Sequence, residues 1–257
     1  MKTIVLSAAA AYVIHLFFEW LAIAVGVQLY RRQRARTGQA SMLQAGHYGV
    51  LIGCILGAAF GNKLVFWLEF PHLWASSWQH VDVWASGQSI IGGLLGGLIG
   101  VELTKKWFGI TESTGDNFVL PLMVATAVGR IGCFLAGLHD GTYGNPTALP
   151  WGVDFGDGIS RHPTQLYDIF FVLLFGALLL TLKDRWQSKP GLLFKLYLSG
   201  YLFWRLAIDG IKPLPFDYGW GLSGIQVVCL LALMCYLPFV LNQFYFSSRE
   251  QHASISR

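Results

Sequence analysis

Seven runs of roughly 20 predominantly apolar residues, separated by short charged or glycine-rich and proline-rich segments, constrain this 257-residue chain more than any other feature. A bilayer's hydrocarbon core takes about 20 apolar residues per helix. Inside it every backbone donor and acceptor must be satisfied within the protein, which restricts an apolar run of this length to a helix. The runs are Ile4–Leu29, Ala45–Leu68, Ser86–Leu103, Asn117–Leu138, Thr164–Leu182, Leu192–Asp209 and Gly221–Asn242. The expectation is an all-α polytopic membrane bundle of about seven transmembrane helices, forming a single membrane domain over residues 1–257. Composition agrees, because only 12% of residues are charged where a soluble domain carries about 25%. The 30 glycines suit helices that approach closely in lipid. The third run, with Gly92-Gly93 and Gly96-Gly97, is the least apolar and is expected to pack tightly.

The first run resembles a signal peptide only at its small residues, Ala8 to Ala11. It continues to Tyr30 and is followed, not preceded, by positive charge at Arg31, Arg32, Arg34 and Arg36. A signal peptide has the opposite arrangement, so the run is expected to remain as the first helix. Orientation follows from the excess of Lys and Arg on the cytoplasmic side. With the N-terminus outside and the C-terminus cytoplasmic, 12 of the 18 Lys and Arg fall inside. The formal charge of +4 is therefore a matter of topology. No basic domain exists, and no nucleic-acid partner is expected. Cys54, Cys133, Cys229 and Cys235 all fall in or near apolar runs without metal-ligand spacing, so neither a disulfide framework, a metal nor a cofactor is expected.

Ionisable groups inside a membrane span cost a few kcal/mol near its centre and need a partner or a purpose. Lys63, Arg130 and Arg205 are the basic ones. Glu69 and Glu102 lie near span ends and read as solvated. Tyr201, Arg205 and Asp209 recur at i, i+4 and i+8, one stripe of a helix, either as a structural ion pair or as the lining of a cavity. His15 and Glu19 also stand four apart, as an internal hydrogen bond or as a carboxylate orienting an imidazole for proton transfer. Arg130 sits between Gly129 and Gly132, where small residues admit a neighbouring backbone or a ligand headgroup. A guanidinium stays charged and offers a fork suited to phosphate. Two intramembrane arginines point to an anion, and the abundant one in a bilayer is a phospholipid headgroup. A structural arginine bound to helix-end carbonyls is the alternative. Residues 139–163 form an outside loop or arm. Pro163 then opens the fifth helix, placing Gln165 and Asp168 in its first turns.

At these residues the chain resembles the prolipoprotein diacylglyceryl transferase family, over nearly its whole length. Ser89-Ile90-Ile91-Gly92-Gly93-Leu94 is similar to that family's Ser-x-His-Gly-Gly-Leu, and Gly129-Arg130-Ile131-Gly132-Cys133-Phe134-Leu135-Ala136-Gly137 to its Gly-Arg-x-Gly-Asn-Phe-x-Asn-Gly. Pro150-Trp151-Gly152-Val153 and Arg161-His162-Pro163-Thr164-Gln165-Leu166-Tyr167-Asp168 follow in register. Tyr201, Arg205, Asp209 and Gln226 stand where the family has Tyr, Arg, Glu and Gln, and Lys63 where it has Arg or Lys.

The resemblance implies an enzyme of a bacterial inner membrane. It would move the diacylglyceryl group of phosphatidylglycerol to the lipobox cysteine of a prolipoprotein signal peptide and release glycerol-1-phosphate. Arg130 and Arg205 would hold the phosphate, with Tyr201 and Asp209 orienting Arg205. Lys63, Gly92, Gly93, Gly132, Gly144, His162, Gln165, Tyr167 and Gln226 would line the substrates. The chain departs from the pattern at the motif histidine, here Ile91, and at both asparagines, here Cys133 and Ala136. A displaced base then has two candidates, His15 with Glu19 and His139 with Asp140. A transferase with another acceptor, a non-catalytic lipid-binding or peptide-binding relative, and an anion transporter are the other readings; no internal repeat supports the last. Oligomeric state is not legible.

Overall fold

The computed structural model describes residues 5–38, 48–73 and 87–255. The expected starts at Ile4, Ala45 and Ser86 lie outside these residues. Among the described residues seven helices have 18 residues or more: α1 (Ala8–Arg36), α2 (Tyr48–Glu69), α3 (Ile90–Phe108), α4 (Val119–Ala136), α5 (Thr164–Thr181), α6 (Leu192–Asp209) and α7 (Gly224–Ile255). Each corresponds to one apolar run, and the protein is an all-α, multi-pass membrane protein. Among the described residues, five segments are long and apolar enough to cross a bilayer: α1, α2, α5, Asp116–Asp140 around α4, and Gly224–Gln243 in α7. The remaining two, α3 and α6, each carry three charges, Glu102, Lys105 and Lys106 on one and Lys195, Arg205 and Asp209 on the other.

Two boundaries differ from the sequence reading. α1 runs on through Arg31, Arg32, Arg34 and Arg36, because solvated arginines are good helix formers and those in the last turn complement the helix dipole. α7 extends past Asn242 to Ile255, with Pro238 inside it.

The chain divides into two compact units: Met1–Thr37, Thr114–Pro213 and Pro238–Arg257 form one, and Gly38–Ser113 with Leu214–Leu237 form the other. In the first, α1 packs on α4, α4 on α5 and α5 on α6. Its core gathers Val119, Met123, Leu179, Leu193 and Tyr197. Gly191, which starts α6, has no side chain with which to cap it. Asp116 supplies the cap instead, accepting from the backbone N–H groups of Gly191 at 2.6 Å and Phe194 at 2.9 Å. Aromatic rings tie α5 to α6, with Phe171 stacked on Trp204 at 4.4 Å and on Phe175 at 5.3 Å. The 139–163 loop folds into a small hairpin of β1 (Val153–Asp154) and β2 (Ser160–Arg161). Phe155 from the hairpin packs edge-on against Phe134 of α4.

In the second unit α2 and α3 meet along facing glycines. A Cβ added at Gly53, Gly57 or Gly61 would run into the backbone of Gly100, Gly96 or Gly92, and the reverse holds for Gly92, Gly96 and Gly100. The four-residue spacing puts each set on one stripe, and without side chains the two backbones touch. Gly93 lies off this seam, with only the Ala58 carbonyl oxygen at 4.0 Å from its added Cβ. Glu69, read from sequence as solvated, is buried and accepts from the Ile225 N–H at 2.7 Å. It caps the N-terminus of α7, where a carboxylate meets the exposed amide dipoles. Glu102 is the solvated residue expected, 3.4 Å from Lys105.

Candidate active site

The first unit buries a cluster of charges. Arg130, three turns into α4, is only 4% exposed, and its Nε lies 2.9 Å from Oδ2 of Asp168 on α5. The other oxygen of Asp168 accepts from the indole N–H of Trp204 at 2.7 Å, and that indole is itself fixed by its stack on Phe171. Arg205 on α6 approaches the same carboxylate, with Nη1 at 4.0 Å from Oδ2. Arg205 also donates to both oxygens of Asp209, from Nη2 at 2.8 and 2.9 Å and from Nε at 3.2 Å. Lys212 closes the group, its Nζ 2.8 Å from Asp209 Oδ1. Burial pushes the Lys212 ammonium below the usual lysine range; Arg205 adds to the effect and Asp209 opposes it. Tyr201, one turn before Arg205, is fully enclosed beside it.

The stripe of Tyr201, Arg205 and Asp209 thus faces inward as one surface. Asp168 joins it from α5 and Lys212 from beyond α6, and neither was among the residues assigned a role from sequence. An acid in an apolar run was a visible signal for Asp168. No local pattern marks Lys212. Gln165, one turn before Asp168, is 1% exposed, and neither its amide nitrogen nor its amide oxygen has a hydrogen-bond partner among the described residues. Leaving a buried amide unpaired costs about 1–3 kcal/mol, and such orphaned groups are what a bound polar ligand satisfies.

A second group lies against α4. His15 on α1 pairs with Asp140, its Nδ1 2.7 Å from Oδ1. The partner expected from sequence spacing was Glu19. Among the described residues Glu19 has no such contact with His15, because Asp140 follows α4 in a short 3-10 turn, Gly137–Asp140, that packs on α1. His139 likewise does not pair with Asp140; its Nε2 lies 3.2 Å from the Leu6 carbonyl oxygen. The Thr142 hydroxyl donates to Asp140. Cys133 Sγ, His15 and Asp140 place one donor atom each within 4.8 Å of one another. Arg130 Nη1 lies 3.9 Å from the same sulfur. Cysteine spacing along the chain could not reveal this grouping, since its members come from different elements.

Gly132 serves packing: its added Cβ would meet the Phe18 Cβ of α1 at 2.5 Å. Gly144 is similarly crowded by His162 and Thr164, and its N–H donates to the His162 carbonyl at 2.9 Å. His162 Nδ1 lies 3.3 Å from the Tyr167 hydroxyl, which accepts from the Trp151 indole at 2.8 Å. These contacts dock the 139–163 loop onto the start of α5, just before Gln165 and Asp168. On the hairpin itself, the Arg161 guanidinium donates to Asp157 at 2.6 Å and holds that exposed carboxyl below the usual aspartate range.

Lys63, Gly92, Gly93 and Gln226 belong to the second unit. There Lys63 donates to the Gly87 carbonyl at 2.7 Å. Gly92 donates to the Ser89 hydroxyl at the start of α3. Gln226 accepts from the Ser223 N–H at 3.0 Å. Ile91 is buried.

A profile described as prolipoprotein diacylglyceryl transferase matches residues 10–241. The chain is similar to proteins named phosphatidylglycerol–prolipoprotein diacylglyceryl transferase from three bacteria. The Legionella pneumophila protein is 34% identical over 195 residues, covering 71% of this chain and 72% of the relative. That of Cereibacter sphaeroides is 27% identical over 276 residues, covering 96% and 90%. That of Methylobacillus flagellatus is 34% identical over 170 residues, covering 64% of this chain but only 60% of the relative's length.

Proposed function

The chain belongs to the prolipoprotein diacylglyceryl transferase family, and on that premise we propose that it transfers the diacylglyceryl group of phosphatidylglycerol to the signal-peptide cysteine thiol of a prolipoprotein. The sulfur attacks the glyceryl carbon bearing the phosphate. A C–S bond forms, the C–O bond breaks, and glycerol-1-phosphate leaves. One observation carries this reading: three cations, the buried Arg130 and Arg205 and the partly enclosed Lys212, face two buried carboxylates, Asp168 and Asp209. The cluster therefore has a formal surplus of one positive charge. Uncompensated buried charge is costly, and an anionic phosphate balances it. The same surplus stabilises the negative charge that develops on the leaving phosphate. The unpartnered Gln165 amide supplies a neutral donor and acceptor for a headgroup oxygen. His15, oriented by Asp140, takes the thiol proton in place of the motif histidine, whose position holds Ile91.

The protein is read as residing in a bacterial inner membrane, N-terminus outside. That orientation puts residues 139–163 and the start of α5 on the side where a prolipoprotein presents its cysteine. A non-catalytic lipid-binding relative is the second reading, favoured by the apolar Ile91.

Complementation tests the proposal. The chain is expressed in cells depleted of their own transferase, and the N-terminal cysteine peptide of a lipoprotein is followed by mass spectrometry. A thioether-linked diacylglyceryl group is expected. Arg130→Ala and Arg205→Ala should each lower turnover by about 10²–10³-fold. Absence of product despite normal membrane expression overturns the transferase reading, and full activity in both variants overturns the phosphate clamp.

A further inference from the structure

We propose that Cys133, His15 and Asp140 form a thiol-based acyl-transfer triad that draws a fatty acyl group from a phospholipid ester onto Cys133 as a thioester. The inference rests on the preceding reading in one respect: it takes the phospholipid headgroup to lie at Arg130 and Arg205.

The three side chains come together from α1, α4 and the turn after α4. The carboxylate orients the imidazole at 2.7 Å, and the thiol lies within 4.8 Å of both. That is the order of roles in a nucleophile–base–orienter triad. Asp140 is held in turn by the Thr142 hydroxyl. The same three ligand types would suit a metal cation, but the Arg130 guanidinium 3.9 Å from the sulfur repels one. The His15 side chain is 35% exposed while that of Asp140 is 5% exposed. The ring is therefore accessible from the surface and the carboxylate is shielded.

The leaving group decides which bond such a triad serves. A phosphate departs as a stable anion and needs positive charge alone, which the arginines provide. The alkoxide released from a carboxylic ester needs a proton, and an imidazole that has just accepted one from a thiol can return it. In the step, the Cys133 sulfur bonds to the acyl carbon and the ester C–O bond breaks. The thiol proton passes through His15 to the departing lysophospholipid oxygen. Attack by water or an amine, whose proton goes back through His15, restores the Cys133 thiol.

The test uses the full chain in phosphatidylglycerol vesicles, quenched in acid, with mass spectrometry of the intact protein and of the Cys133 peptide. One fatty acyl group on Cys133, released by neutral hydroxylamine, is expected. It should form about a hundredfold more slowly in His15→Gln and should not form from ether-linked phospholipid, which lacks the ester. A folded, monodisperse protein without the adduct, a hydroxylamine-resistant thioether, or an equal rate in His15→Gln overturns the proposal. Prolipoprotein modification is measured on the same samples. Its absence beside an acylated Cys133 defeats the transferase reading and leaves the triad standing, and the converse result defeats the triad alone.

Discussion

At the residue scale, Asp168 bears the most connections. It receives Arg130, stands 4.0 Å from Arg205 and accepts from Trp204. Removing its charge leaves two buried guanidinium groups facing a weaker partner, and breaking such a buried pair costs about 3–5 kcal/mol. Asp168→Asn should therefore lower the thermal unfolding midpoint in detergent sharply, whatever it does to activity. A variant with the wild-type midpoint would show that Asp168 does not anchor the cluster. Trp204→Phe keeps the ring stack but loses the indole donor, and a smaller decrease of about 1 kcal/mol is expected.

At the element scale, the seam between α2 and α3 makes an opposed pair of expectations. Gly96→Ala places a methyl group against the Gly57 backbone, where nothing can rotate away. The helices must separate, at a cost of about 1–3 kcal/mol for overpacking. Gly93→Ala, one turn before Gly97 and off the seam, has room and should be neutral or slightly stabilising, since alanine is the better helix former. Thermal unfolding and protease resistance of the two variants check this, and equal losses in both would show that the seam does not depend on glycine. The pattern was partly legible beforehand. Gly92-Gly93 and Gly96-Gly97 signalled close packing, but which glycine of each pair faces α2 depends on the rotation of α3, which order along the chain does not state.

At the scale of the whole molecule, the distribution of arginine and lysine predicts the orientation. With 12 of 18 on one side, the C-terminus should be cytoplasmic. A green fluorescent protein fused there should fluoresce, and an alkaline phosphatase fused there should be inactive; the opposite pair of results would invert the topology. Arg31 through Arg36 belong to α1 itself, so the positive boundary is a helical extension rather than a loop.

The sequence by itself determined the helical class, the apolar runs that form the long helices among the described residues, and the family, because the length and hydropathy of an apolar run, and motifs read in order, are local properties of the chain. It also singled out Arg130, Arg205 and Asp209, since a charge inside an apolar run stands out against its neighbours. The pairing of those charges was decided only by the tertiary structure. His15 meets Asp140 instead of Glu19, four residues along its own helix, and Arg130 meets Asp168 of another helix. Cys133 looks bland in order and acquires a histidine, a carboxylate and an arginine in space. The physical reason is that burial energies are set by whichever groups share a volume, and helix rotation and packing choose that company.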